Sequence, residues 1–149
     1  IGLIPALSGI NPILLNASFI QAFSKIGLIP DSAGTFFLPR LIGFQKASAL
    51  MMLGDKVSST EAEQLGMVYK VIAPESFTEE VNKLAETLAE MPTKAIGLTK
   101  RLLNQSMINN LENQLALESD LQIEASSSND YKEGVTAFVE KRKPTFNGN

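Results

Sequence analysis

The side chain best placed for proton chemistry is Asp31, at the tip of the run IGLIPDSAGTFFLPRLIG over residues 26–43. Pro30 fixes its own φ and disfavours helix for Ile29, so an extended segment ends here and Asp31 or Ser32 can cap the helix that follows. Gly34 allows a tight turn, and Thr35, Phe36, Phe37 and Leu38 behind it supply the apolar packing that would fix that turn. Such a carboxylate can serve as a catalytic acid or base, or only as a helix cap; one residue can do both. The chain has neither His nor Cys, which excludes thiol nucleophiles, disulfides, Ser-His pairs and zinc sites of the usual Cys/His kind. Proton transfer therefore falls to Asp, Glu, Lys or Tyr.

With 149 residues, 44% of them hydrophobic, the chain can bury one real core. A net charge of -3 gives no global field to attract nucleic acid, so an anionic ligand would need a local basic cluster, and Lys141, Arg142 and Lys143 are the candidate. Residues 1–24 carry no charged side chain, yet Gly2, Pro5, Gly9 and Pro12 interrupt them, Asn11 and Asn16 sit among them and no basic flank precedes them. A membrane span is rejected on those grounds. The chain begins with Ile and repeats IGLIP at 1–5 and 26–30, so it reads as a C-terminal piece of a longer protein with an unassigned leading segment over 1–16.

The elements that must position Asp31 follow from periodicity and punctuation. Residues 17–23 read as a short strand and 67–72 as a second one, ended by Pro74. Helices are expected over 45–53, stopped by Gly54, and from the capping box at Ser58 and Glu61 to Gly66. Ser76 and Glu79 open another, amphipathic through Val81, Leu84, Ala85 and Leu88. Thr93 is expected to cap a helix to about Met107, and 111–125 reads as the next helix. Asp130 with Glu133 marks the start of a last helix whose Tyr131, Val135, Phe138 and Val139 form one face before Pro144.

GLIPDSAGTFFLPRLIG, GDKVSSTEAEQLGMVYKVI and EGVTAFVEKRKPTF, in that order and spacing, resemble the enoyl-CoA hydratase/isomerase (crotonase) family over about residues 17–148. The resemblance implies an α/β crotonase-like fold, of which this chain is the mostly helical C-terminal part with about two short strands. It divides the chain into the leading segment 1–16, the end of the crotonase core with the Asp31 turn over 17–75, and a helical oligomerising and CoA-contacting region over 76–149.

In that family an oxyanion hole of two backbone N–H groups stabilises an enolate of an acyl-CoA thioester, with no cofactor beyond the coenzyme A of the substrate. Both glycine-rich segments of that hole are expected upstream, so the 149 residues alone are expected to be inactive. A two-glutamate hydratase carries its second glutamate where this chain has Phe23. The isomerase-like branch instead resembles AFSKIGLIPD, with Asp31 as the proton carrier, and Ala33 stands where the family usually has glycine. The implied reaction is double-bond isomerisation of an enoyl-CoA in fatty acid β-oxidation, with Phe23 and Phe36 lining the substrate pocket and burial among Phe23, Phe36 and Phe37 tuning Asp31. Phe138 and Lys141 are implied to meet the adenine and phosphate end of CoA across an interface in a homotrimer or dimer of trimers. Alternatives are an enoyl-CoA hydratase (lyase) or a non-catalytic helical interaction fragment of the family. Neither nucleic acid nor membrane is expected as a partner, and the expected location is cytoplasmic.

Overall fold

In a computed structural model, which describes residues 10–149, the chain is mostly helical and divides after Val81 into two compact units. The first holds the strands. β1 (Pro12–Leu14) runs parallel to β4 (Lys70–Ile72) with Ile13 opposite Val71, and β2 (Ser18–Ile20) runs antiparallel to β3 (Lys56–Ser58) with Phe19 opposite Val57. The two ladders are tied together at their ends: Ser59 donates its N–H to Ala17 O at 3.0 Å, and its buried hydroxyl donates to Leu15 O.

Helices α1 (Gly34–Ile42), α2 (Phe44–Leu53) and α3 (Ser59–Gln64) pack around these ladders. Leu50 of α2, Val57 of β3, Ala62 of α3 and Val68 form the buried core, with Ile13, Phe19, Ile42 and Val71 against it. Alternation explains the choice, because β3 reads Lys56, Val57, Ser58 and turns only its central residue inward. Ser58 caps α3 by accepting the Glu61 N–H at 3.2 Å, and Gly54 ends α2 in the left-handed region, both as the sequence suggests.

Both expected strands are shorter than their apolar runs. After Ile20 the chain curls into a 3-10 turn at Ala22–Ile26, closed by Gly27 at φ 74°. The Met67 N–H is spent on Ala62 O at 2.8 Å, so pairing in β4 starts only at Lys70.

α4 (Phe77–Ala89) crosses the unit boundary, and α5 (Thr93–Ser106), α6 (Leu111–Ser126) and α7 (Asn129–Glu140) belong to the second unit. Thr93 is not the expected cap: it is the first helical residue, after Pro92. Ser76 likewise turns its hydroxyl back onto Ala73 O. Asn110 caps α6, accepting the Asn113 N–H at 2.8 Å, and Gln114 donates to Leu102 O at 3.3 Å to tie α6 to α5. α7 is capped by Ser128, which accepts the Tyr131 N–H at 3.0 Å, so Asp130 and Glu133 are left for other work. Among the described residues no helix is long and apolar enough to cross a membrane.

Candidate functional site

Asp31 does not cap α1. Its main-chain carbonyl accepts the Gly34 N–H at 2.8 Å across Ser32 and Ala33, whose φ values are 50° and 59°. Two positive φ values in the centre of a four-residue turn are the pattern of type I′, a conformation usually given to Asn-Gly pairs. Ala33 is the N-cap and contributes no side-chain bond, while its carbonyl takes the N–H groups of Phe36 and Phe37 at 3.0 and 3.1 Å. The turn is thus closed entirely by backbone. Among the described residues the Asp31 carboxylate has no hydrogen-bond or ionic partner.

That carboxylate lines a cavity of about 550 Å³ in the first unit. Its walls are mainly apolar, with Phe19, Phe23, Leu38, Leu50 and Val57 among them, and its charged lining groups are Asp31 and Asp55. Phe23 comes from the 3-10 turn that follows β2, so the same local curl that shortens the strand delivers the ring to the wall. Asp31 is exposed at the rim, not buried among phenylalanines as the sequence suggests.

Phe36 is the reason for part of that difference, for it does not line the cavity. Its ring packs edge to face on Phe37, with centroids 5.1 Å apart, and lies under the Arg40 guanidinium at 3.6 Å. Arg40 also donates to Phe36 O at 2.8 Å, which fastens cation, ring and helix turn together.

Asp55, which the sequence reading missed, reaches the cavity because Gly54 turns α2 off at φ 65°. A Cβ on residue 54 would stand 2.9 Å from Lys25 Cε and 3.3 Å from Gln21 O, so glycine suits both the φ of 65° and the close approach of the 3-10 turn. The only sequence signal was an aspartate directly after a helix-stopping glycine.

The second unit presents the other expected residues. Phe138 is 86% exposed, and Tyr131, Val135 and Val139 on the same side of α7 are exposed too, so that face is not core. The basic run separates into two kinds of residue. Arg142 is bound by Glu133 and Glu140, and Lys143 pairs with Glu90 at 3.1 Å. Lys141 has no partner among the described residues. It occupies the C-cap of α7 with φ 55°, where Lys141 N–H reaches Phe138 O at 3.3 Å and Arg142 N–H reaches Ala137 O at 3.0 Å. This is the Schellman ending, in which the left-handed residue is usually glycine.

The pairing shows in the ionisation of its members. Hydrogen bonds from Arg142 and from the Thr145 N–H hold the Glu133 carboxyl down at about 2, and Glu133 and then Glu140 push Arg142 up.

The family model described as enoyl-CoA hydratase/isomerase matches residues 13–149. The 1,2-epoxyphenylacetyl-CoA isomerase of Escherichia coli K12 is 44% identical over 133 residues, which are 89% of this chain and 51% of that protein. The trans-2-decenoyl-[acyl-carrier-protein] isomerase of Streptococcus mutans is 37% identical over 130 residues, 87% of this chain and 49% of that one. A crystal structure of enoyl-CoA hydratase subunit I from Geobacillus kaustophilus superposes with a TM-score of 0.91 at 36% identity, covering 97% of this chain and 56% of its own. The chain thus spans about half the length of the curated relatives it matches, and its fold is crotonase-like.

Proposed function

The chain belongs to the enoyl-CoA hydratase/isomerase family, and from that footing we propose that Asp31 carries the proton in double-bond isomerisation of an enoyl-CoA. The observation that supports this most is the state of Asp31: a carboxylate without a partner among the described residues, at the rim of an apolar cavity. It would take a proton from one carbon of the acyl chain, so that a C–H bond breaks, an O–H bond forms and the electron pair delocalises into a dienolate. The same carboxyl, exposed at the cavity rim and able to exchange its proton with solvent, would then deliver a proton to another carbon on the same face, moving the double bond. The dienolate needs N–H donors at its oxygen, which the resemblance assigns to segments preceding the matched region. Phe23 in the wall cannot activate water, which favours isomerisation over hydration.

Hydration is the second reading, and Asp55 is the observation in its favour, because addition of water takes two carboxylates and Asp55 lines the same cavity. In either case Phe138 would stack on the adenine and Lys141 would meet a phosphate, with each site shared between subunits of a trimer or dimer of trimers. In the full-length protein, Asp31→Asn should lower isomerisation by about 10²- to 10⁴-fold and leave CoA-ester binding within about twofold. Activity within about twofold of the parent would remove Asp31 from the reaction. Loss of water addition in Asp55→Asn, with isomerisation intact, would favour the hydratase reading instead.

A further inference from the structure

We infer that the ion pair of Glu133 and Arg142, with the tail that it anchors, is a positioning device that holds Lys141 and Phe138 for the nucleotide end of a CoA ester. This rests on the reading of Lys141 and Phe138 given above, and it adds residues that touch no substrate. A lysine at φ 55° is held in a conformation that costs a β-carbon residue free energy, so the surroundings must over-determine it. They do so from one side of α7. Arg142 Nη1 and Nη2 donate to the two Glu133 oxygens at 2.6 and 2.8 Å, and its Nε donates to Glu140 at 2.6 Å. Thr145 adds its N–H to Glu133 at 2.8 Å.

The chain then folds back along the helix. The Phe146 ring lies on Gly134, the N–H groups of Asn147 and Gly148 donate to the buried Asp130 carboxylate at 2.7 and 2.9 Å, and Asn149 O accepts from the N–H of Asn129 at 2.9 Å. Residues 145–148 therefore bond or pack along the side of α7 that holds Asp130, Glu133 and Gly134. Phe138 is left on the uncovered side.

The same contacts sort the charges. Arg142 and Lys143 are paired with glutamates, so Lys141 is the cation of this run without a partner among the described residues, at a backbone position three residues after Phe138. A phosphate meeting a compact point charge gains from that fixed placement, because less side-chain freedom remains to be lost on binding. Loosening the pair lets residue 141 relax out of the left-handed region, and the Lys141 side chain then leaves the helix end in a different direction.

The test compares two substrates with one acyl group, the CoA ester and the pantetheine ester that lacks the adenine nucleotide, in full-length parent, Glu133→Gln, Arg142→Gln and Lys141→Ala proteins. For Glu133→Gln and Arg142→Gln the KM of the CoA ester should rise by about tenfold with kcat within about twofold, while KM of the pantetheine ester stays unchanged. Equal losses on both esters would mean a general structural role and overturn the inference, as would an unchanged KM for the CoA ester. If Lys141→Ala alone raises that KM, the site stands and the positioning device falls. If Lys141→Ala has no effect, the reading of Lys141 falls and takes this inference with it. Should one pair variant fail to fold, the other, which removes the opposite charge, is read in the same way.

Discussion

At the Asp31 turn and at the Lys141 corner a charged side chain stands without a partner among the described residues, at or beside residues other than glycine that have taken a positive φ: Ser32 and Ala33 in the first case, Lys141 itself in the second. The restraints differ in kind. The Asp31 turn is closed by main-chain hydrogen bonds and backed by the apolar wall of Leu38 and Leu50, whereas the Lys141 corner is held by two glutamates on Arg142 and by tail amides on Glu133 and Asp130. On the proposed reading, a carboxylate that exchanges a proton with substrate is best fixed by groups that do not titrate. A cation that must only stay charged can be fixed by its neighbours' charges. The first region should accordingly answer to packing changes and the second to salt and acid.

The largest expected effect lies in the packing of the first region. Leu50 is buried and forms part of both the core and the cavity wall, so Leu50→Ala should lower stability by about 2 to 5 kcal/mol in denaturant unfolding. Equal destabilisation by salt at both corners would break the contrast. Next, Lys141→Ala should weaken CoA-ester binding by on the order of 1 kcal/mol, and the difference from the parent should shrink as salt rises. Isothermal titration at two ionic strengths measures both. Lys141→Gly should bind as poorly as Lys141→Ala while unfolding at a higher temperature, since glycine removes about 1 kcal/mol of left-handed strain. A matching gain of up to about 1 kcal/mol is expected for Ala33→Gly, read by thermal unfolding, with activity little changed.

The smallest effect sharpens the contrast by pH. Glu133 is depressed to about 2 from the usual 4.5, so the pair's contribution is fully present above the usual value and is lost as pH falls through about 2. Hydrogen exchange of the Thr145 amide should therefore stay protected through the range in which ordinary carboxylates protonate, and Glu133→Gln should remove that pH dependence.

Much of this was legible in the chain. The stops at Gly54 and Gly66 and the cap at Ser58 follow from local chemistry that tertiary contacts leave alone, whereas the α7 face of Tyr131, Val135, Phe138 and Val139, whose spacing suits a core face, is exposed. Asp31 was legible as a special residue, but its role as a helix cap was not sustained, because the backbone closes the turn first and takes Ala33 as the cap. Phe36 was misplaced for a similar reason: nothing in the spacing says that Arg40, one turn on, will cover its ring. Asp130 and Glu133 look like capping residues, and only the return of the tail reveals them as acceptors for residues distant in sequence. Asp55 was invisible because its place depends on the approach of the turn at Ala22–Ile26 to Gly54.

The central claim, that Asp31 moves a proton at carbon, is tested most directly by incubating an enoyl-CoA in deuterium oxide with full-length parent and Asp31→Asn protein and following deuterium entry into the acyl chain by mass spectrometry. The parent should incorporate deuterium at the carbons flanking the double bond, and Asp31→Asn should do so at least about 100-fold more slowly while binding the ester equally well. Incorporation by Asp31→Asn within about twofold of the parent would contradict the claim.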